Sequence, residues 1–348
     1  MLPVTASMCL CILGKGTVMG SGVKRGARIP AVIRRRMMIP VRAMDFEVRG
    51  FRSTDPDLRA RLEGVCSSLL AGYNPVMRYG VPEPLEEIEK LDPDMRGFAY
   101  EGAAIACAML DVLTLSRGRN VPTLLSSPTA QHYPQLTAIG IGLGLAQLRK
   151  SGWGGLGEVD GLDPLVRWMA VDGRGFWGSF FHTTKYLATK RTAHPVQSLA
   201  EQVMDQGVGR SLWFVECADV PALGRRVSTF HPSRHADLWA GIGLAACYAG
   251  GADDAGLAQI IELSGEHRAQ LAIGAATPSR ARVLSGSIPV FAEQATKAFT
   301  GVDVKTAAGW ETDAIREVGP HADTVADYLR MRELVRRSWL ISTGGAVS

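Results

Sequence analysis

The sequence predicts a mainly α fold with a few short strands, arranged as two pseudo-symmetric strand-helix-helix halves sharing one helical core. Three observations carry that expectation. Apolar residues recur at helical spacing over long stretches, two helices are unusually rich in Gly and Ala, and several phrases recur about 140 residues apart.

The chain begins basic. Residues 1–44 hold eight cations (Lys15, Lys24, Arg25, Arg28, Arg34, Arg35, Arg36, Arg42) and no acid, so the whole-chain charge of +4 misleads. Removing those eight from 38 leaves 30 cations against 34 anions, and the body is acidic. A basic face for nucleic acid is therefore not expected, because phosphate neutralisation needs Lys and Arg clustered on the folded part. Residues 1–37 are read as a disordered basic arm, with Met37, Met38 or Met44 as alternative starts. Residues 38–190 and 191–345 are read as half-repeats of one integrated unit.

Phe46-Glu47-Val48-Arg49 alternates like a short strand. Asp55-Pro56 opens a helix carrying Leu58, Leu62, Val65, Leu69 and Leu70, with Pro at the first helical position. Residues 74–95, rich in Pro and acids, read as a surface connection. Apolar helices then span Phe98 to Leu113 and about Gln135 to Arg149. In the second half Leu212–Glu216 reads as a strand, Asp219-Val220-Pro221 starts a helix, and Asp237–Gly250 forms another. Ala106-Cys107 is echoed by Ala246-Cys247, and His132–Gly140 by His267–Gly274. The small-residue helices are expected to pack closely at the centre, with any pocket at the junction of the halves.

No stretch reaches the roughly 18–20 apolar residues of a spanning helix. Cys66, Cys107, Cys217 and Cys247 form no C-x-x-C pair, and Cys9 with Cys11 makes a poor metal site. The expectation is a cytoplasmic protein without disulfides, and the apolar small-residue helices admit a homodimer.

Phrases such as Phe98-Ala99-Tyr100-Glu101-Gly102-Ala103-Ala104, Arg167–Gly173, Asp205–Phe214 and Ala236–Leu244 are long and distinctive. Over about residues 38–340 the chain resembles the UnbL-like, domain-of-unknown-function family encoded beside bacterial enediyne polyketide synthases. The resemblance implies a place in specialised-metabolite biosynthesis, brings no established reaction, and supplies no catalytic residues to transfer.

The candidate catalytic residues are Glu101, Asp172 and His182. Glu101 sits in an apolar helix, where burial raises a carboxyl pKa toward general acid–base use; the plainer reading is a first-turn acid favoured by the helix dipole. Asp172 and His182 flank Phe176, Trp177, Phe180 and Phe181, a setting suited to proton transfer on a polyene; the plainer reading is a turn beside core aromatics. Tyr100, Phe176, Trp177, Arg210 and Trp239 are the candidate substrate contacts. Asp205–Arg210 reads as a Gly-containing loop before a strand, with Arg210 pairing with Asp205. Asp253-Asp254 resembles half of a magnesium-diphosphate motif, but position 257 is Leu and helix capping explains the pair better.

The leading expectation is a cyclase or isomerase acting by acid–base chemistry, without cofactor, on an apolar polyene or isoprenoid. A carrier, scaffold or self-protection protein holding a polyketide intermediate is the alternative, with the synthase itself as a possible partner. A magnesium-dependent, terpene-cyclase-like lyase is the third.

Overall fold

In a computed structural model, the described residues are 29–53, 55–113, 119–148, 161–187 and 190–344. They are mainly helical, and no strand occurs among them. Nine helices carry the architecture: α1 (Pro56–Tyr79), α2 (Pro93–Leu113), α3 (Pro134–Gln147), α4 (Met169–Phe181), α5 (Leu199–Val215), α6 (Pro232–Ala249), α7 (Arg268–Ser285), α8 (Val304–Val318) and α9 (Val325–Ser342).

Local chemistry sets their starts. Asp55 accepts from the Asp57 and Leu58 amides and Pro56 occupies the first turn of α1, as expected from the sequence. Ser198 caps α5, and Thr324 with Asp327 forms a capping box on α9. α1 continues through Pro75 to Tyr79, and α2 begins at Pro93, so both enter the stretch read as a surface connection.

Helices α1 to α7 pack each on its successor, and glycine makes the contact. A Cβ on Gly72 would lie 1.8 Å from the Ala99 carbonyl oxygen, and one on Gly102 would lie 1.8 Å from that of Leu69. The same reciprocal approach joins Gly142 to Ala170 and Gly173 to Ile139, Gly175 to Met204 and Gly207 to Asp172, and Gly209 to Leu238 and Gly241 to Gln206. Gly140 and Gly144 of α3 meet the Glu101 and Ile105 carbonyls, so α2 and α3 run parallel. α5 and α6 also run parallel: Arg234 pairs with Asp205 toward their starts, and Trp213 Nε1 donates to the Gly250 carbonyl (2.9 Å) at their ends. Short helices fill the connections, and Val220–Ser228, Asp254–Ser264 and Val290–Thr300 contact one another as a second layer. The result is a helical solenoid of long parallel helices with short return helices.

The solenoid closes on itself. Arg61 of α1 donates to the Ala249 carbonyl (2.8 Å), and Arg282 of α7 donates to the Asp94 carbonyl (3.2 Å) at the start of α2. Arg49 donates to the Phe180 carbonyl (2.7 Å), and the Arg52 amide donates to that of Val215 (3.0 Å). The segment before α1 and the starts of α1 and α2 thereby meet the ends of α4 to α7, around an interior cavity.

Several expectations are corrected. Phe46–Arg49 is a short helix, because Asp45 accepts from the Glu47 and Val48 amides and Gly50 ends it at φ 70°. Leu212–Glu216 closes α5; a helix buried on every side loses its periodic signature and reads like a strand. Asp205–Arg210 lies inside α5 and Asp172-Gly173 inside α4, so neither is a loop or turn. The two-half symmetry inferred from the echo at about 140 residues gives way to a shorter spacing of the contact glycines: 32 residues separate Gly175 from Gly207, and 32 separate Gly209 from Gly241. Residues Ala31–Arg36, expected within the arm, form a helix whose Arg34 donates to the Met77 carbonyl (2.7 Å). Cys9 and Cys11 lie outside the described residues. The other four cysteines are buried and free.

Gly207→Ala should lose at least about 2 kcal/mol of stability, because its methyl group meets the rigid Asp172 carbonyl at 1.8 Å. Gly309→Ala, on a helix face with nothing within 4 Å, should gain about 0.5–1 kcal/mol. Urea denaturation of the two variants reads the contrast, and equal effects would contradict the close-packing account.

Candidate functional site

The cavity measures about 50 Å³ and is lined from α1 through α7, with Met44 from the preceding segment. Its walls are chiefly apolar. Phe176 stacks on Phe180 at 4.9 Å, and Phe214 meets both edge-on at 5.9 and 6.1 Å. Phe176 and Phe180 are one helical turn apart on α4, so both rings face the same side. Six side chains bring polar atoms to the lining alongside these rings: Cys66, Glu101, Gln135, Arg210, Tyr248 and Thr277.

Glu101 is 3% exposed. α2 starts at Pro93, so Glu101 lies two turns in, and the first-turn dipole reading no longer applies. Its carboxyl makes no side-chain hydrogen bond among the described residues. Burial lifts its pKa from 4.5 to about 7, with Arg210 opposing the shift and Asp172 adding to it. Such a group holds or releases a proton near neutrality, which suits general acid–base work.

The cation beside it is already committed. Arg210 Nε donates to Asp172 Oδ1 at 2.8 Å, Nη2 lies 2.7 Å from the same oxygen, and Gln206 Nε2 donates to Asp172 Oδ2 at 2.9 Å. The guanidinium also lies 4.9 Å from the Phe176 ring centroid. Burial raises the Asp172 pKa, while Arg210 and Gln206 hold it down. Asp172 therefore anchors Arg210 from behind the wall and does not line the cavity.

The expected Asp205–Arg210 pair does not form. Five residues along a helix turn a side chain through about 140°. Asp205 therefore faces Arg234 of α6, while Arg210 faces α4. His182 ends α4 with its ring edge-on to Trp177 at 5.9 Å, and neither residue lines the cavity. Tyr100 points the other way, donating to Glu89 Oε1 and accepting from the Thr129 hydroxyl, both at 2.6 Å. Trp239 is buried in the core but lies outside the lining. Of the eight candidates, the structure thus brings together Glu101, Phe176 and Arg210, with Asp172 in support.

Asp253 and Asp254, the acids of the magnesium alternative, lie at a helix start, as the capping reading expects. Asp253 is the N-cap of Asp254–Ser264, accepting from the Gly256 amide at 2.8 Å, and both acids are exposed away from the lining. No group of three or more His, Cys, Asp and Glu side chains suited to a metal occurs among the described residues. His231 is likewise a helix cap, its Nδ1 within 3.0 Å of Ser233 Oγ.

Two cavity residues were missed from the sequence, Gln135 and Tyr248. Gln135 is 2% exposed with neither amide atom hydrogen-bonded, and Tyr248 is 4% exposed with its buried hydroxyl also unpartnered. Burial pushes the Tyr248 hydroxyl up to about 12, so it stays protonated. Leaving a buried polar group unpaired costs about 1–3 kcal/mol, and native folds leave few of them. The available signal was a polar side chain inside an apolar helix, the same signal that singled out Glu101.

A family model described as a protein of unknown function (DUF1702) matches residues 29–339, and the chain belongs to that family. No curated protein matches it. No solved structure matches it either. No helix among the described residues is long and apolar enough to cross a membrane.

Glu101→Gln should flatten the pH dependence of stability. A carboxyl whose pKa rises on folding favours the folded state fully below 4.5 and loses that contribution as pH climbs through about 7. Between pH 4.5 and 7.5 the native protein should lose up to about 3 kcal/mol relative to Glu101→Gln. Urea titrations across that range measure it, and parallel curves for the two proteins would remove the buried acid.

Proposed function

We propose that this member of the DUF1702 family draws an apolar small molecule into its interior cavity and moves a proton on it through Glu101. The observation that carries the reading is a buried carboxyl, free of hydrogen bonds, in an aromatic-walled cavity whose cation is already paired with Asp172. The reaction class is isomerisation or cyclisation by acid–base chemistry. The Glu101 acid protonates one carbon of a double bond, and the resulting carboxylate removes a proton from a carbon adjacent to the cation. Atoms and electrons balance without any other reactant. The π faces of Phe176, Phe180 and Phe214 stabilise positive charge on the way.

The cavity in its closed form holds a few waters, about a third of the 150 Å³ that accepts benzene in an engineered core. Substrate binding therefore includes displacement of flexible or half-buried lining residues such as Met44, Leu69 and Phe181. The resemblance to the UnbL-like group supports a role in enediyne-type specialised metabolism, with a polyketide-derived polyene as substrate. A second reading, a carrier that holds such an intermediate without changing it, is favoured by the unpaired Gln135 and Tyr248, which need a ligand whether or not a proton moves.

Metabolite profiles from a producing strain with the gene intact, deleted, and restored in wild-type or Glu101→Gln form test the reading. Deletion should abolish the product, and Glu101→Gln should fail to restore it while accumulating to the wild-type level. Full restoration by Glu101→Gln would discard proton transfer and leave the carrier.

A further inference from the structure

The cavity has a polar end and an apolar end. Tyr248 reaches from α6 toward α2, where a Cβ added at Gly97 would lie 2.0 Å from its hydroxyl oxygen. Gly97 stands one helical turn before Glu101, so the hydroxyl and the carboxyl share one face of α2. The ring is clamped: Phe98 meets it edge-on at 5.0 Å, and the Arg282 guanidinium lies 4.1 Å from its centroid. Gln135 comes from the first turn of α3, and the contact of Gly140 with the Glu101 carbonyl sets it alongside the same part of α2. Phe176, Phe180 and Phe214 belong to α4 and α5 and form the other wall.

The polar end offers an amide donor, an amide acceptor and a hydroxyl, all without protein partners. The lining itself offers no free positive charge, because Arg210, the cation among the lining residues, is held by Asp172, and Arg282 behind the Tyr248 ring donates to the Asp94 and Tyr248 carbonyls. An anionic head group would also face Glu101. The chemistry that fits is an uncharged oxygen function attached to an apolar body.

We propose that Gln135 and Tyr248 form a head-group site for a neutral hydroxyl or carbonyl on the ligand, orienting its apolar body toward Phe176, Phe180 and Phe214. This rests on the reading of the cavity as a ligand site and names the class of ligand it selects. Gln135 and Tyr248 are positioning residues, and Glu101 remains the group that touches the reacting carbon.

The test uses the full chain and four matched probes: benzyl alcohol, acetophenone, ethylbenzene and benzoate, with affinities measured by ligand-observed NMR titration. Benzyl alcohol or acetophenone should bind at least about tenfold more tightly than ethylbenzene, and benzoate most weakly. Whichever oxygen probe leads identifies the head as hydroxyl or carbonyl. The double variant Gln135→Leu, Tyr248→Phe should bind ethylbenzene undiminished and lose the preference for the oxygen probes. Its melting temperature should stay the same or rise, because removing unpaired buried polar groups relieves a cost; a folded double variant that keeps the oxygen preference would overturn the proposal. Ethylbenzene binding with no oxygen preference, or tightest binding by benzoate, would overturn the head-group site while leaving the cavity reading intact. Failure of all four probes to bind would overturn both. The wild-type series decides the question even where the double variant does not fold.

Discussion

Backbone-to-backbone contact between successive helices governs this protein. At each interface from α1 to α7 glycines expose the main chain, and the carbonyl of the next helix occupies the place of a side chain. The gain is dispersion at close packing together with Cα–H···O contacts, each small and repeated along the series. Because the small residues face the neighbouring helices, the bulky ones are directed to the remaining faces. One of those faces is the interior, and the aromatic walls of the cavity follow from it.

Tight interfaces also account for the buried charges. Asp172 pairs with Arg210, Asp205 with Arg234, and Asp237 with Arg332 at 2.8 Å, each joining two helices of the array. The three acids stand 33 and 32 residues apart, in step with the glycines. Buried pairs of this kind add little net stability, but losing one partner leaves an uncompensated charge, so they fix which helix faces which. Glu101 breaks the pattern. It shares their depth but has no pairing cation, and the nearest one is already held by Asp172. The difference between Glu101 and these structural acids lies in the partner alone.

The candidate site was legible in part, and the reason is specific to each residue. Glu101 stood out because a carboxyl inside an apolar helix has a desolvation cost that invites explanation. Phe176 and Arg210 were named for sound reasons, yet Arg210 was given the wrong partner, since Asp205 lies on another side of the same helix. Tyr100 and Trp239 sit in equally apolar helices but point elsewhere, and helical phase relative to a neighbour is not written in the local sequence. Gln135 and Tyr248 carry no charge and form no motif; their significance is the lack of a partner, which is a property of the assembled interior.

By itself the sequence determined that the chain is mainly helical, where α1 begins, and that small residues line the helix contacts, because capping chemistry, apolar periodicity and glycine content act over a few residues. It also contained the short repeat in the spacing of its glycines. Only the tertiary structure decided that the apparent strands are helix, that the array curves until the starts of α1 and α2 meet the ends of α4 to α7, and that Glu101, Gln135 and Tyr248 face one cavity. The physical reason is that curvature accumulates over the six interfaces from α1 to α7. No single segment encodes it, and residues more than a hundred positions apart become neighbours only when the whole array has packed.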